Sequence, residues 1–477
     1  MSTITIPWIA LPLFVGFSIY LIPKLDRYLA LGVAMVSVEY GTQLFFTKSP
    51  LSLQLLDNFG VTLLVDQLSA FFILTNGLVT AAVILYCWQS GKTAFFYTQT
   101  IILHGSVNAV FICADLISLY VALEVISIAA FLLIAYPRTD RSIWVALRYL
   151  LISNTAMLFY LIGAILVYQA NHSFAFEGLR GATPEALALI FLALLVKGGI
   201  FVSGLWLPLT HSESESPVSA LLSGAVVKTG VFPLLRFALI VEELDPIVRI
   251  FGVGTALLGV GYAVFEKDTK RMLAFHTISQ LGFILAAPEV GGFYALTHGL
   301  VKGALFLIAG ILPSRNLKEL QHQPMNTQIW IALAIASFSI SGFPLLSGFG
   351  AKVLTMKNLV PWEVIGMNIA ALGTAISFAK FIFLPHGDSS QGQVKVGFWL
   401  AMILLLGGLI AVNSVYYQAY NFANIIKPLA TIALGWLAYF LIFKRSVIKL
   451  PRVLEEFDHL IGMMSLILIL LFWMVFP

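Results

Sequence analysis

The sequence predicts an all-α protein: a polytopic transmembrane helical bundle of about 14–16 helices. Three observations predict it. Of the 477 residues, 60% are hydrophobic and 10% charged, where a soluble domain carries about 25% charged residues. Apolar runs of about 20 residues recur from end to end, each long enough to cross a hydrocarbon core of about 30 Å. The connections between the runs are short, which leaves no extramembrane domain to hold soluble catalytic machinery or to bind nucleic acid.

The runs are read in order. The first, Thr5–Pro23, has no basic stretch before it and no small-residue cleavage site, so it is a retained helix and not a signal peptide. Further spans follow at 28–46, 60–88, 95–113, 114–136, 143–169, 186–209 and 217–240. The remainder lie at 247–265, 271–287, 291–313, 327–356, 362–385, 396–416, 422–443 and 459–477. Gly252, Gly254, Gly259 and Gly261 suit close helix packing, and their spacing is not that of a phosphate loop. Cys87 and Cys113 both sit inside apolar runs and form no CxxC pattern, which excludes cysteine-held iron–sulfur or zinc centres. No cofactor is expected in this chain.

Basic residues divide unevenly between alternate loops. One set holds Lys24, Arg27, Lys92, Arg138, Arg141, Lys267, Lys270, Arg271, Arg315, Lys318, Lys395, Lys444, Arg445, Lys449 and Arg452; the other holds Lys48, Arg180, Lys357 and Lys427. By the positive-inside rule the first set faces the cytoplasm. The N-terminus then lies outside, as does the C-terminus for an even helix count.

Ionisable residues within the runs are the informative ones. Glu124, Lys197, Lys228, His298, Lys302 and Lys352 are flanked by apolar residues; His276 and Lys380 are less central. A charged side chain at the bilayer centre costs roughly 2.5–3.5 kcal/mol on insertion scales, and such residues commonly mark ion or proton pathways. The alternatives are snorkelling to the headgroups, favoured for Lys380, and a purely structural buried ion pair. Burial disfavours the charged form of either group, and an opposite charge nearby restores it. A Glu–Lys pair that can separate is therefore a proton switch. His298 and Lys302, four residues apart, share a helix face, and with no carboxylate beside them a relay suits them better than a metal.

Two segments carry break signals. Gly198 and Gly199 follow Lys197, and Pro208 closes that segment. Gly342, Pro344, Ser347 and Gly348 precede Lys352. Interrupted helices are tolerated where the freed backbone lines a cavity, and two of them in corresponding halves suggest inverted repeats about a midplane site. Packing kinks are the alternative. Thr210–Pro217, THSESESP, reads as a solvated turn and an N-cap region for the next helix.

The stretch WLPLTHSESESPVSALLSGAVVKTGVFPLLRF resembles the signature of antiporter-like membrane subunits, found in respiratory complex I, in NDH-1 and in Mrp cation/proton antiporters. VDQLSAFF, DLISLYVALEV, DTKRMLAFHTISQLGF and THGLVKGALFLIAG agree with it, and the resemblance covers about residues 60–385. It implies two inverted five-helix repeats within a fourteen-helix core. It also implies a glutamate matching Glu124 paired with a lysine matching Lys197, then stations matching Lys228, His298 and Lys352. The family's proline after the first lysine is replaced here by Gly198-Gly199. Lys352 in PLLSGFGAK resembles the D-type component of Mrp antiporters, where chain 4 of complex I typically has glutamate.

The expectation is thus a proton-translocating subunit of a sodium/proton antiporter of Mrp type, partnered by other membrane subunits, in a bacterial cell membrane. The alternatives are a proton-pumping subunit of an NADH or ferredoxin:quinone oxidoreductase, in a thylakoid membrane if cyanobacterial, and a scaffold that conducts nothing. The core is expected over 60–385, between terminal helices at 1–59 and 386–477.

Overall fold

The computed structural model describes residues 2–475 except 48, 57–59, 388–393, 446, 447 and 449. Lys48 and Lys449, used above for orientation, lie outside the described residues. The helices in chain order are α1 (Ser2–Leu21), α2 (Asp26–Phe46), α3 (Gln67–Cys87), α4 (Ala94–Val110), α5 (Leu116–Ile134), α6 (Asp140–Asn171), α7 (Pro184–Gly198), α8 (Leu207–Glu213), α9 (Ser216–Leu221) and α10 (Lys228–Ile240). They continue as α11 (Asp245–Phe265), α12 (Thr269–Leu285), α13 (Gly291–Ala309), α14 (Leu317–Leu320), α15 (Thr327–Ser341), α16 (Ser347–Lys357), α17 (Pro361–Ile382), α18 (Val396–Asn413), α19 (Phe422–Leu441) and α20 (Phe457–Val475).

Thirteen segments among the described residues are long and apolar enough to cross a membrane. Three more fall short of that length: α4 and α12 have 17 residues each, and α15 and α16 are the two pieces of one broken helix. All sixteen runs expected from hydropathy are therefore helical. The 60–88 run is corrected at its start: Thr62–Val65 is a strand, paired antiparallel with Leu51–Gln54, and Asp66 then caps α3 by accepting from the Ser69 N–H. The cap is a local choice of sequence, since an Asp side chain satisfies an N–H that the helix itself leaves free. Asp115 and Asp268 cap α5 and α12 in the same way, and Thr139 with Ser142 forms a capping box on α6.

The two breaks are built alike. α7 ends on Gly199 at φ 67°, followed by Phe201 at φ 52°; α15 ends on Gly342 at φ 88°, followed by Leu345 at φ 79°. Glycine takes the left-handed cap without strain, which is why the helices stop there. These are the seventh and twelfth spanning segments, five apart, as inverted five-helix repeats require. Pro208 does not close the first segment; it stands in the first turn of α8 and starts the second half, where its missing N–H costs nothing. Glycine also lets half-helices and neighbours touch: a Cβ on Gly230 would lie 2.2 Å from the Gly198 nitrogen, and one on Gly348 1.8 Å from the Ser339 carbonyl oxygen.

THSESESP is corrected as well. Thr210, His211 and Ser212 belong to α8 and are buried, and Ser214 and Ser216 are buried beyond it. These residues are interior because α8 packs on α12, and the hydroxyls satisfy themselves on main-chain carbonyls: Thr210 on Trp206 and Ser214 on Thr210; Glu213 and Glu215 stay partly exposed.

α20 returns across the bundle to pack on α7. The return is anchored by Glu455, which accepts from Arg271 at 2.5 Å through its carboxylate and from Arg148 through its carbonyl.

Candidate functional site

The buried ionisable residues lie on helices around the two breaks. Lys197 is in the last turn of α7. Its ammonium donates to the Leu123 carbonyl at 3.0 Å, Ser127 Oγ at 2.5 Å and Ser153 Oγ at 2.8 Å. Glu124 makes no ion contact with Lys197, in contrast to the expected pair. Lys197 meets α5 at the Ser127 hydroxyl and the Leu123 main-chain carbonyl that lies beside it one turn back, and the Glu124 carboxylate does not reach the ammonium. Glu124 is half-buried on the outer face of α5, though still within electrostatic range of Lys197. A void of about 10 Å³ beside Lys197, Ser153 and Thr229 is of the order needed for one water.

Between α9 and α10 the chain forms a π-helical turn, Leu222–Val226. Its widened ring, closed by Val227 N–H to Leu222 O at 3.1 Å, brings Lys228 to the start of α10 with its side chain fully buried. The Lys228 ammonium donates to the Ser223 carbonyl at 3.0 Å and meets His298 Nδ1 at 3.2 Å. A charged Lys228 donates to Nδ1, so the imidazole proton then sits on Nε2, which has no partner within the described protein. π-turns are uncommon and concentrate at functional sites.

One turn further along α13, Lys302 donates to the Leu273 carbonyl at 2.7 Å. That oxygen also accepts from Thr277 Oγ1, just as Leu123 O, which holds Lys197, also accepts from Ser127. Both lysines are therefore held by neutral oxygens and not by a carboxylate. His276 is fully buried, against its reading as less central. It packs on Phe378, its two ring nitrogens have no partner among the described residues, and it lies within electrostatic range of Lys302 and Lys352. Lys352, in the middle of α16, is buried with its ammonium unpartnered and 5.4 Å from the Phe283 ring centroid. Lys380 is different: it donates to the carbonyls of Ala263, Val264 and Glu266, which closes the C-terminal end of α11.

Two features escaped sequence reasoning. His211 is fully buried, stacked 4.7 Å from Phe306 with both ring nitrogens unpartnered. Its neighbours in THSESE are so hydrophilic that hydropathy placed it in a turn. A polar network on α2–α4 joins His104 to Ser37 at 2.8 Å and Thr80 at 3.2 Å, with Asn76 and Asn108 beside them. A polar residue in LHGSVN was the available signal.

Comparison with known proteins places this arrangement. The family described as NADH:quinone oxidoreductase/Mrp antiporter, transmembrane, matches residues 113–377, more than half of the chain. The chain is 26% identical to the D-type component of the Na(+)/H(+) antiporter of Alkalihalophilus pseudofirmus, over 85% of this chain and 91% of that one. It is 29% identical to an NAD(P)H-quinone oxidoreductase chain 4 of Microcystis aeruginosa, over 81% and 78%. Its fold is that of a chain in the membrane-bound sulfane sulfur reductase, an archaeal respiratory membrane complex, with TM-score 0.76, 21% identity, and 92% and 100% coverage. It is also that of a chain in the Mrp complex from Dietzia sp. DQ12-45-1b, with TM-score 0.73 and 22% identity; 99% of this chain aligns, spanning 55% of that longer one. Both broken helices as far as α16, and the ionisable residues from Glu124 to Lys352, fall within the matched span, and the chain belongs to the NADH:quinone oxidoreductase/Mrp antiporter transmembrane family.

Proposed function

We propose that the chain is the proton-translocating subunit of a multisubunit sodium/proton antiporter of Mrp type, assembled with other membrane subunits. The observation that carries the reading is the interior series Lys197, Lys228, His298, Lys302 and Lys352. Every member is buried, none forms an ion pair within 4 Å among the described residues, and the series extends from one broken helix to the other. Groups so placed can hold or release a proton, with water filling the gaps. Lys302 and Lys228 bracket His298, and Lys352 ends the series beside an open crevice. Similarity to the Alkalihalophilus antiporter component supports the Mrp assignment. Similarity to chain 4 relatives supports a second reading, a proton-pumping subunit of an NADH or ferredoxin:quinone oxidoreductase, and co-purifying subunits decide between them: small hydrophobic antiporter subunits, or flavin and iron–sulfur subunits.

Glu124 is the entry-side switch in this reading. Glu124→Gln keeps size and hydrogen bonding but cannot carry charge, so sodium-driven proton flux should fall about 10-fold or more while the complex still assembles. Full flux in assembled Glu124→Gln vesicles would remove the switch and favour a scaffold that conducts nothing.

The basic loops are proposed to face the cytoplasm, with the N-terminus outside. Cys87 and Cys113 are buried, so a cysteine placed at Arg141 or Lys444 is the reactive one. Membrane-impermeant maleimide should label either only after the cells are opened. Labelling of intact cells would reverse the orientation.

A further inference from the structure

Of the four basic residues assigned to the outer face, two converge. A crevice of about 200 Å³ between α16, α17 and α19 is lined by Lys352, Lys357, Asn368, Asn424, Lys427 and Thr431, and no carboxylate is among its lining residues. Of the other two, Arg180 donates to the Ile240 carbonyl at 3.1 Å, and Lys48 lies outside the described residues.

We propose that this crevice binds the phosphate headgroup of an anionic phospholipid. The inference does not depend on proton conduction. Charge comes first: three lysines meet around one space, and among the described residues none has an acidic partner. Lys357 has only the Tyr416 ring, 6.0 Å from its ammonium. The second observation is independent of the surface: Lys352 is 5% exposed, lines the crevice, and has no hydrogen-bond partner for its ammonium. A buried cation calls for a counter-charge and acceptors, and an oxyanion supplies both.

Depth and access decide which anion. Lys357 closes α16 and Lys427 is in the second turn of α19, so both stand near a membrane surface. At a rise of 1.5 Å per residue, Lys352 lies about 7.5 Å deeper than Lys357 along the helix. Asn368 offers donors to phosphate oxygens, as does the second N–H of Asn424 Nδ2, whose first donates to the Ala419 carbonyl. The outer walls are apolar and exposed: Ile365 and Ile369 on α17, and Phe422 and Leu434 on α19. Acyl chains can lie along those walls while the headgroup enters between the lysines, a fit that a free anion would not use.

The test uses the full chain in phosphatidylcholine nanodiscs containing a small fraction of phosphatidylglycerol, with retained lipid counted by native mass spectrometry. The double variant Lys357→Gln/Lys427→Gln should bind phosphatidylglycerol about 30-fold more weakly than wild type, at the rate expected for two interfacial lysines. The single variant Lys427→Gln should show an intermediate loss. Lys318→Gln/Lys444→Gln, in the basic cavity near Lys380 and away from this crevice, should bind as wild type does. Equal affinity in all variants, or an equal loss in both double variants, overturns the site. Displacement of the lipid by inorganic phosphate alone would show a free-anion site and overturn the lipid assignment. Retention in the isolated chain but exclusion in the assembled complex would show a partner protein filling the crevice, and overturns it likewise.

Discussion

Lys228→Ala should lower sodium-driven proton flux about 100-fold or more in everted vesicles carrying the assembled complex, the size expected when a positioned proton-transfer group is removed. The substitution takes away the only side chain among the described residues that meets His298 Nδ1, at 3.2 Å, and leaves the Ser223 carbonyl without its ammonium donor. Alanine also leaves a void in a fully buried site, so expression and assembly are measured beside flux. Lys228→Arg separates the roles. A guanidinium keeps the positive charge and the donors but does not release its proton in a protein. If the charge at this point is structural, the arginine variant transports; if it is a station, the variant assembles and is as inactive as alanine. Transport by Lys228→Arg at more than half the wild-type rate would sink the relay at this residue.

Lys352 should be the second large effect, with a different signature. Lys352→Ala should stop net proton movement, by about 100-fold or more, although Lys197, Lys228 and His298 are untouched. Lys352→Glu should recover part of it. A proton station needs a titratable group of either sign, and a carboxyl and an ammonium titrate in different ranges, so the recovered flux should carry a shifted pH profile. The crevice beside Lys352 gives the new carboxyl contact with water and with Lys357 and Lys427, which can neutralise it. If Lys352 only balances a fixed negative charge, reversing its sign should be worse than alanine and should damage assembly. Wild-type flux in Lys352→Ala would mean that protons leave by another helix.

Much of this was legible from the chain alone. Hydropathy located all sixteen helical segments, because spanning length and apolarity are set by the bilayer. Gly199 and Gly342 marked both breaks, since a left-handed helix cap selects glycine. What hydropathy could not carry was angular phase. Glu124 and Leu123 are adjacent in sequence, yet Lys197 takes the Leu123 main-chain carbonyl and not the Glu124 carboxylate, and a resemblance that matches residues one by one does not report which way each points. His211 was misjudged for a related reason. Averaged windows score a hydrophilic run as exterior, but α8 satisfies its hydroxyls on main-chain carbonyls, and Thr210, His211 and Ser212 can then be buried. Long-range pairing, such as Glu455 with Arg271 across 184 residues, left no local trace at all.

The π-turn at Leu222–Val226 has a consequence for how this segment can be altered. A π-turn holds one residue more than the α-helix it interrupts, and one residue of α-helix is a rotation of about 100°. The five residues therefore act as an angular offset between the helical phase of Ser216–Leu221 and that of Lys228 and its successors. Deleting any single residue of the turn would restore regular hydrogen bonding and yield a straighter, locally more stable helix. It would also swing Lys228 out of line with His298. Local stability and the lysine's alignment thus pull in opposite directions here. The number of residues in the turn is therefore as constrained as their packing, in which a Cβ on Gly224 would lie 2.8 Å from Val79.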